Sequence, residues 1–213
     1  MPTVTSFKLQ SKRKNLFLRL AKGHFATSHS HINYYIDVTT QKTRLSEATA
    51  VAEELVSYYQ SSTIVDTILC LDGTQVIGTC LAQELTDGGF VNLNAHRTIY
   101  VVTPEHTSGS QLLFRDNLVP MIAGKHVLIL AASVTTGYTA QAAIEAINYY
   151  GGHVSGVAAI FASVKEVCGY PVHATFEVSD LPDYASHPSS ECPLCKARVP
   201  VDALVNSYGY SKL

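Results

Sequence analysis

Residues 127–139, Val-Leu-Ile-Leu-Ala-Ala-Ser-Val-Thr-Thr-Gly-Tyr-Thr, carry the densest chemistry in the chain. They read as a buried strand, a tight polar turn and a helix start. Thr135, Thr136, Gly137, Tyr138 and Thr139 offer hydroxyls and backbone N–H groups at that helix start. Orphan N–H groups and the helix dipole both favour an anion there, a phosphate above all. Ala131 and Ala132 lie where the strand gives way to the turn, and they bring methyl groups where charge chemistry would call for acids.

Two other clusters stand out. Asp72-Gly73-Thr74 follows an apolar run, and Gly73 permits close backbone approach to a ligand; the same residues also suit a plain turn with Asp72 capping the next helix. Cys192-Pro193-Leu194-Cys195 is half of a tetrahedral zinc site, with His187 five residues upstream. Cys168, His173 or a symmetry mate could complete it. A redox pair and two packed thiols are the other readings. His24, His29 and His31 fit no standard metal spacing and read as a polar loop near substrate.

The stretch 127–139 resembles the phosphoribosyl-pyrophosphate (PRPP) motif of type I phosphoribosyltransferases. In that family an apolar strand is followed by two acids, two variable residues and Thr-Thr-Gly-x-Thr. Leu128 to Leu130 match the strand, and Thr135, Thr136, Gly137 and Thr139 match the 5′-phosphate loop. Ala131 and Ala132 fall on the two acidic positions, with Ser133 beside them. The resemblance runs more loosely over about residues 15–177, and its order of elements is similar to orotate phosphoribosyltransferase.

The resemblance implies that Asp72, Gly73 and Thr74 meet pyrophosphate. It implies Mg²⁺ bound with PRPP, and a homodimer. It also implies a mobile loop with a lysine that neutralises the leaving pyrophosphate. Between Thr98 and Phe114 this chain has no Lys or Arg. His106 and Arg115 are the only candidate substitutes, and His106 reads equally as an exposed loop histidine. In the family the two acids bond the ribose hydroxyls and help seat Mg²⁺. Each charge-assisted bond is worth ~1.5–3 kcal/mol, so losing two costs ~3–6 kcal/mol. That is roughly two to four powers of ten in binding or rate.

Composition narrows the classes. With 213 residues and 46% hydrophobic content the chain can bury a real core. Fifteen basic residues against 17 acidic give a net charge of −2, so no basic excess points to nucleic acid. Lys12-Arg13-Lys14 is too short for a phosphate footprint. Met1–Gln10 lacks the apolar core of a signal peptide, and no apolar run approaches the roughly 18–20 residues that span a bilayer. Five widely spread cysteines read as reduced thiols in a cytoplasm. Ser211-Lys212-Leu213 matches a peroxisomal address, a match that three residues reach by chance.

The elements needed to position these residues follow from periodicity. Lys12 to Ala21 reads as a short helix with Leu16, Phe17 and Leu20 on one side and Gly23 as its C-cap. Residues 33–38 read as a strand. Arg44 to Tyr59 is a helix, with Ala48, Val51, Ala52 and Leu55 inward. Strands follow at 64–71, 98–102, 127–131, 154–161 and 173–178, and helices at 73–85 and 138–150. Residues 109–123 are mixed. The alternation implies an α/β fold, a parallel sheet flanked by helices of the type I phosphoribosyltransferase kind. Residues 1–178 form that domain with a small N-terminal hood. Residues 179–213, broken by Pro182, Pro188, Pro193 and Pro200, form an irregular Cys-containing tail.

Two functions lead on these residues, ahead of a different transferase or hydrolase that uses the loop for another phosphate, for which no Ser-His-Asp or Cys-His arrangement stands out. One is a transferase moving phosphoribose from PRPP to orotate with impaired catalysis. The other is a non-catalytic protein that senses PRPP or a nucleotide monophosphate and signals to a partner. Neither calls for nucleic acid or membrane.

Overall fold

The computed structural model describes residues 6–11, 16–87, 89, 92–95, 97–107, 111–181, 183–206 and 208–213. In chain order the elements are β1 Ser6–Gln10, β2 Phe17–Ala26, β3 His31–Asp37, α1 Thr39–Thr43, α2 Leu45–Leu55, β4 Thr67–Cys70 and α3 Gln75–Thr86. They continue with β5 Tyr100–Val102, β6 Glu105–His106, β7 Leu112–Leu113, β8 His126–Val134, α4 Tyr138–Tyr149, β9 His153–Ala162, β10 Glu166–Val167 and β11 Tyr170–Glu177. The last are β12 Ser186–His187, α5 Pro193–Lys196, β13 Ala203–Asn206 and β14 Gly209–Lys212. Two compact units result. One is Gln41–Glu177, and the other combines Met1–Thr40 with Val178–Leu213.

The unit 41–177 is built on a sheet of order β10-β11-β9-β8-β4-β5. Strands β11, β9, β8, β4 and β5 run parallel, and β10 is an antiparallel edge. Helix α4 covers one face, where Ala140, Ala143, Ile144 and Ile147 pack on Val127, Ile129, Val157 and Ala159. Helix α3 lies on the other face. A Cβ on its Gly78 would stand 2.4 Å from the Cys70 sulfur, so glycine lets this helix approach β4 closely. Helices on both faces leave the parallel strands apolar along their whole length, as Val127–Ala132 and Val157–Ala162 are.

Strand β8 runs three residues past the end that the sequence reading gave it, and begins one residue earlier. Ala132, Ser133 and Val134 continue the ladder on β9, with Ser133 opposite Phe161 and Val134 opposite Ala162. The turn is therefore confined to Thr135–Gly137. Residues 109–123 include a two-stranded hairpin, β6 with β7, and a short 3₁₀ turn at Val119–Met121; residues 109 and 110 lie outside the described residues.

The unit joining residues 1–40 to 178–213 holds a second sheet, β12-β3-β2-β13-β14, with β1 also on β2. Its central strand corrects the helix expected over Lys12–Ala21. Residues 12–15 lie outside the described residues, and Phe17–Ala26 is extended. Leu16, Leu18 and Leu20 are buried while Phe17 and Arg19 are not, a period of two. Leu16 and Leu20 are also four residues apart, the spacing on which the helical reading rests. Gly23 is no C-cap. It lies inside β2, where a Cβ would meet Asp202 Oδ2 at 2.7 Å. His24 and His31 are strand residues too, and only Thr27–Ser30 is loop.

Candidate functional site

The chain enters β4, crosses by α3 to β5 on one side, then returns to β8 on the other side of β4 and crosses by α4 to β9. The order of connection reverses between β4 and β8. In open α/β sheets the crevice outside the strand ends at such a reversal is where ligands bind. Both candidate phosphate loops leave the sheet there. Leu71 donates its N–H to Leu130 O at 2.8 Å, and Thr74 donates its hydroxyl to the same carbonyl at 3.0 Å.

The loop after β8 is shaped by Gly137. It occupies the N-cap of α4 with φ +83°, and no side chain caps the helix. The first intrahelical bond runs from Gln141 N–H to Gly137 O at 2.8 Å. The N–H groups of the first turn precede that bond and face the loop, an anion cradle by construction. A Cβ at Gly137 would stand 3.1 Å from Val167 in the β10–β11 hairpin. That hairpin turns tightly because Cys168 and Gly169 both have positive φ. Ser163 anchors the loop from β9, its N–H on Val134 O and its hydroxyl on Thr135 O at 2.8 Å. Thr136, Tyr138 and Thr139 are exposed and Thr135 is half-buried.

The loop after β4 is built from two consecutive left-handed residues, Asp72 at φ +55° and Gly73 at +79°. They form the middle of a tight turn closed by Thr74 N–H on Leu71 O, and the backbone N–H groups of such a turn can line an anion-binding concavity. Thr74 is fully buried, and its one hydroxyl proton is shared between Leu130 O and Leu71 O, the latter at 2.8 Å. Lys42, which sequence reasoning passed over, donates from Nζ to Asp72 O at 2.9 Å and brings a cation to this loop. Its helix, α1, has only five residues, too short for a periodic signal.

Ala131 and Ala132 are 1% and 4% exposed. Ala131 pairs with Ala159 of β9 and packs in the apolar cluster under α4. Neither position offers a carboxylate, so these residues do not fit a protein-held Mg²⁺ ion. Ser133, between them and the turn, is exposed.

His106 is exposed on β6. Arg115 is engaged with Glu105, through Nε at 3.0 Å and Nη2 at 2.6 Å. Hydrogen bonding from Arg115 holds the Glu105 carboxyl below its ordinary range. The guanidinium is thus committed to a neighbouring acid.

In the other unit, Cys192 and Cys195 meet two histidines rather than the one expected. One ligand atom each from His24, His31, Cys192 and Cys195 lies within 4.8 Å of the others. His187 lines the same cavity of about 450 Å³ and sits opposite His31 in the ladder, but is not one of the four. His29 lies in the exposed turn. Cys168 and His173 belong to the unit 41–177.

Compared with models of known protein families, the chain matches none. Individual relatives are clearer. It is 27% identical to an orotate phosphoribosyltransferase of Chlorobaculum parvum, over 86% of this chain and 88% of that one. It is 25% identical to the orotate phosphoribosyltransferase of Chlorobium phaeobacteroides over the same shares. Among solved structures, the orotate phosphoribosyltransferase of Mycobacterium tuberculosis H37Rv, in complex with Fe(III) dicitrate, superposes with a TM-score of 0.54 at 16% identity, covering 77% of this chain and 92% of that one. The chain has the type I phosphoribosyltransferase fold. Within that class, orotate phosphoribosyltransferase is the protein its sequence resembles.

Proposed function

We propose that the unit 41–177 binds PRPP or a nucleotide 5′-monophosphate, as orotate phosphoribosyltransferases do, and that its transfer of phosphoribose to orotate is impaired. The observation that carries this is the pairing of two anion-receptive loops at one reversal point. Thr135–Thr139 holds the 5′-phosphate on the N-terminus of α4. The ribose lies along Ala131, Ala132 and Ser133. Asp72–Thr74 holds the pyrophosphate, with the Lys42 ammonium at hand.

The impairment follows from two independent losses. Ala131 and Ala132 bring no charge to the ribose, which removes ~3–6 kcal/mol of charge-assisted bonding. No Lys or Arg lies between Thr98 and Phe114 to meet the leaving group, and Arg115 is paired with Glu105. The same two facts favour a second reading, a non-catalytic sensor that keeps the ligand and has given up the chemistry.

Orotate absorbance followed with PRPP and Mg²⁺ at high enzyme concentration, beside calorimetric titration with PRPP, separates these. Binding with slow turnover, both abolished by Gly137→Val, supports impaired transfer. Binding without turnover makes the sensor the better reading. Fast turnover overturns the impairment, and absence of any binding overturns both.

A further inference from the structure

We propose that His24, His31, Cys192 and Cys195 form a tetrahedral zinc site that pins residues 192–202 to strand β2. The site lies wholly in the unit of residues 1–40 and 178–213 and is independent of the phosphate loops.

The spacing of the four atoms is the first argument. Zinc binds nitrogen at about 2.0–2.1 Å and sulfur at about 2.3 Å, so a tetrahedron sets its ligands about 3.3 Å (N to N) and about 3.6 Å (N to S) apart. The His24 Nε2 atom is 3.6 Å from Cys192 Sγ and 3.7 Å from Cys195 Sγ. The His31 Nδ1 atom is 3.2 Å from Cys195 Sγ and 2.9 Å from His24 Nε2. The distances from His24 to both sulfurs match a ligand shell, and the two quoted from His31 need to open by only a few tenths of an ångström; the other two of the six pairs lie within 4.8 Å.

The second argument is how the ligands are held. His24 is 1% exposed, and its Nδ1 faces the carbonyls of Val199 at 2.9 Å and Pro200 at 3.2 Å. Two acceptors there fix the proton on Nδ1 and leave Nε2 unprotonated toward the sulfurs, the arrangement that orients metal-binding histidines. Cys192 is 2% exposed and caps α5, whose turn brings Cys195 to the same side three residues on. Lys196 N–H on Cys192 O and Val199 N–H on Leu194 O close this knuckle.

The third is the frame. His24 N–H donates to Asp202 Oδ2 at 2.8 Å, and Asp202 N–H donates to His24 O at 2.8 Å. β13 then runs parallel to β2, with Ala203 opposite Phe25. These backbone bonds hold the knuckle over the two histidines. Four protein ligands of the N₂S₂ kind leave no open position, so the ion is structural, and so compact a set suits a single zinc ion rather than an iron–sulfur cluster.

The full chain, expressed with zinc and freed of loosely bound metal, should retain about one zinc per chain. Replacing zinc by Co²⁺ should give the visible d–d bands of a tetrahedral site and a thiolate charge-transfer band. Cys195→Ser, at an exposed ligand, should lose stoichiometric zinc and alter the cobalt spectrum, while His187→Ala keeps both. Chelation should lower the melting temperature of the native chain and leave that of Cys195→Ser unchanged. The proposal fails if the native chain holds no zinc and gives no tetrahedral cobalt spectrum, or if Cys195→Ser retains full zinc. It also fails if His187→Ala removes the metal, or if Cys192 and Cys195 are found as a disulfide in freshly purified protein.

Discussion

Thr74 Oγ1 and Leu130 O stand 3.0 Å apart, and this contact ties the loop after β4 to the strand that leads into the loop after β8. The two candidate anion loops are therefore joined through a fully buried hydroxyl. Thr74→Val keeps the shape and removes the donor. Both carbonyls it serves keep a backbone donor, Leu71 N–H on Leu130 O and Thr74 N–H on Leu71 O. The expected loss of stability in urea unfolding is therefore small, about 1 kcal/mol. Pyrophosphate affinity, measured by calorimetry, should fall more than stability does.

Restoring acids at the strand end should be costly in the empty protein. Ala131→Asp and Ala132→Asp each place a carboxylate in a buried ladder, and each should lose about 2–4 kcal/mol of stability. If these positions face the ribose, PRPP with Mg²⁺ should raise the melting temperature of the double variant more than that of the native chain, because a ligand that pairs the acids stabilises the folded form selectively. An equal rise in both would place the ribose elsewhere.

Asp66 gives the unit 41–177 an acid-sensitive clasp. Its Oδ2 accepts from the His126 backbone N–H at 2.8 Å and lies 3.0 Å from His126 Nδ1, joining β4 to the start of β8. Burial pushes the carboxyl up. The His126 backbone and ring bonds, with His126 and Lys125 charge, outweigh it and leave the pKa below its ordinary value. A depressed folded pKa means the stabilisation is full above the unfolded value, about 3.9, and is lost as pH falls through the folded one. Asp66→Asn should cost roughly 1 kcal/mol at neutral pH. It should also flatten the decline of stability at acid pH, as read from urea unfolding at a series of pH values.

Glu105→Gln should release Arg115. The exposed pair contributes little to stability, so the melting temperature should stay unchanged. If Arg115 stands in for a leaving-group cation, pyrophosphate affinity should rise and become more sensitive to salt. No change in affinity would remove Arg115 from the site.

Much of the unit 41–177 was legible because its signals are local. Ala48, Val51, Ala52 and Leu55 recur at helical spacing and are all buried. The apolar run 127–131 and Gly137 announced a strand, a turn and a helix start within a few residues. The short pieces gave no such pattern. Leu16, Leu18 and Leu20 fit a two-residue period over too few residues to defeat the helical reading. The reversal between β4 and β8 is a property of strand order, which no local pattern carries. The meeting of His24 and His31 with Cys192 and Cys195 depends on β13 pairing with β2, a contact across most of the chain. Its only trace in sequence is two separate ligand pairs, His24 with His31 and Cys192 with Cys195.

The sheet that unites residues 1–40 with 178–213 also sets an order of events during synthesis. Residues 41–177 are contiguous and can collapse as soon as they leave the ribosome, since domains fold as units while translation proceeds. The edge of β2 that receives Ala203 and Leu204 must wait until residues 203–206 have been made. During that interval a strand with buried leucines has one side incompletely paired, a template for other chains. Residues 17–26 are thus translated before the unit 41–177 and completed after it, and their exposure is set by the rate at which the intervening chain is made.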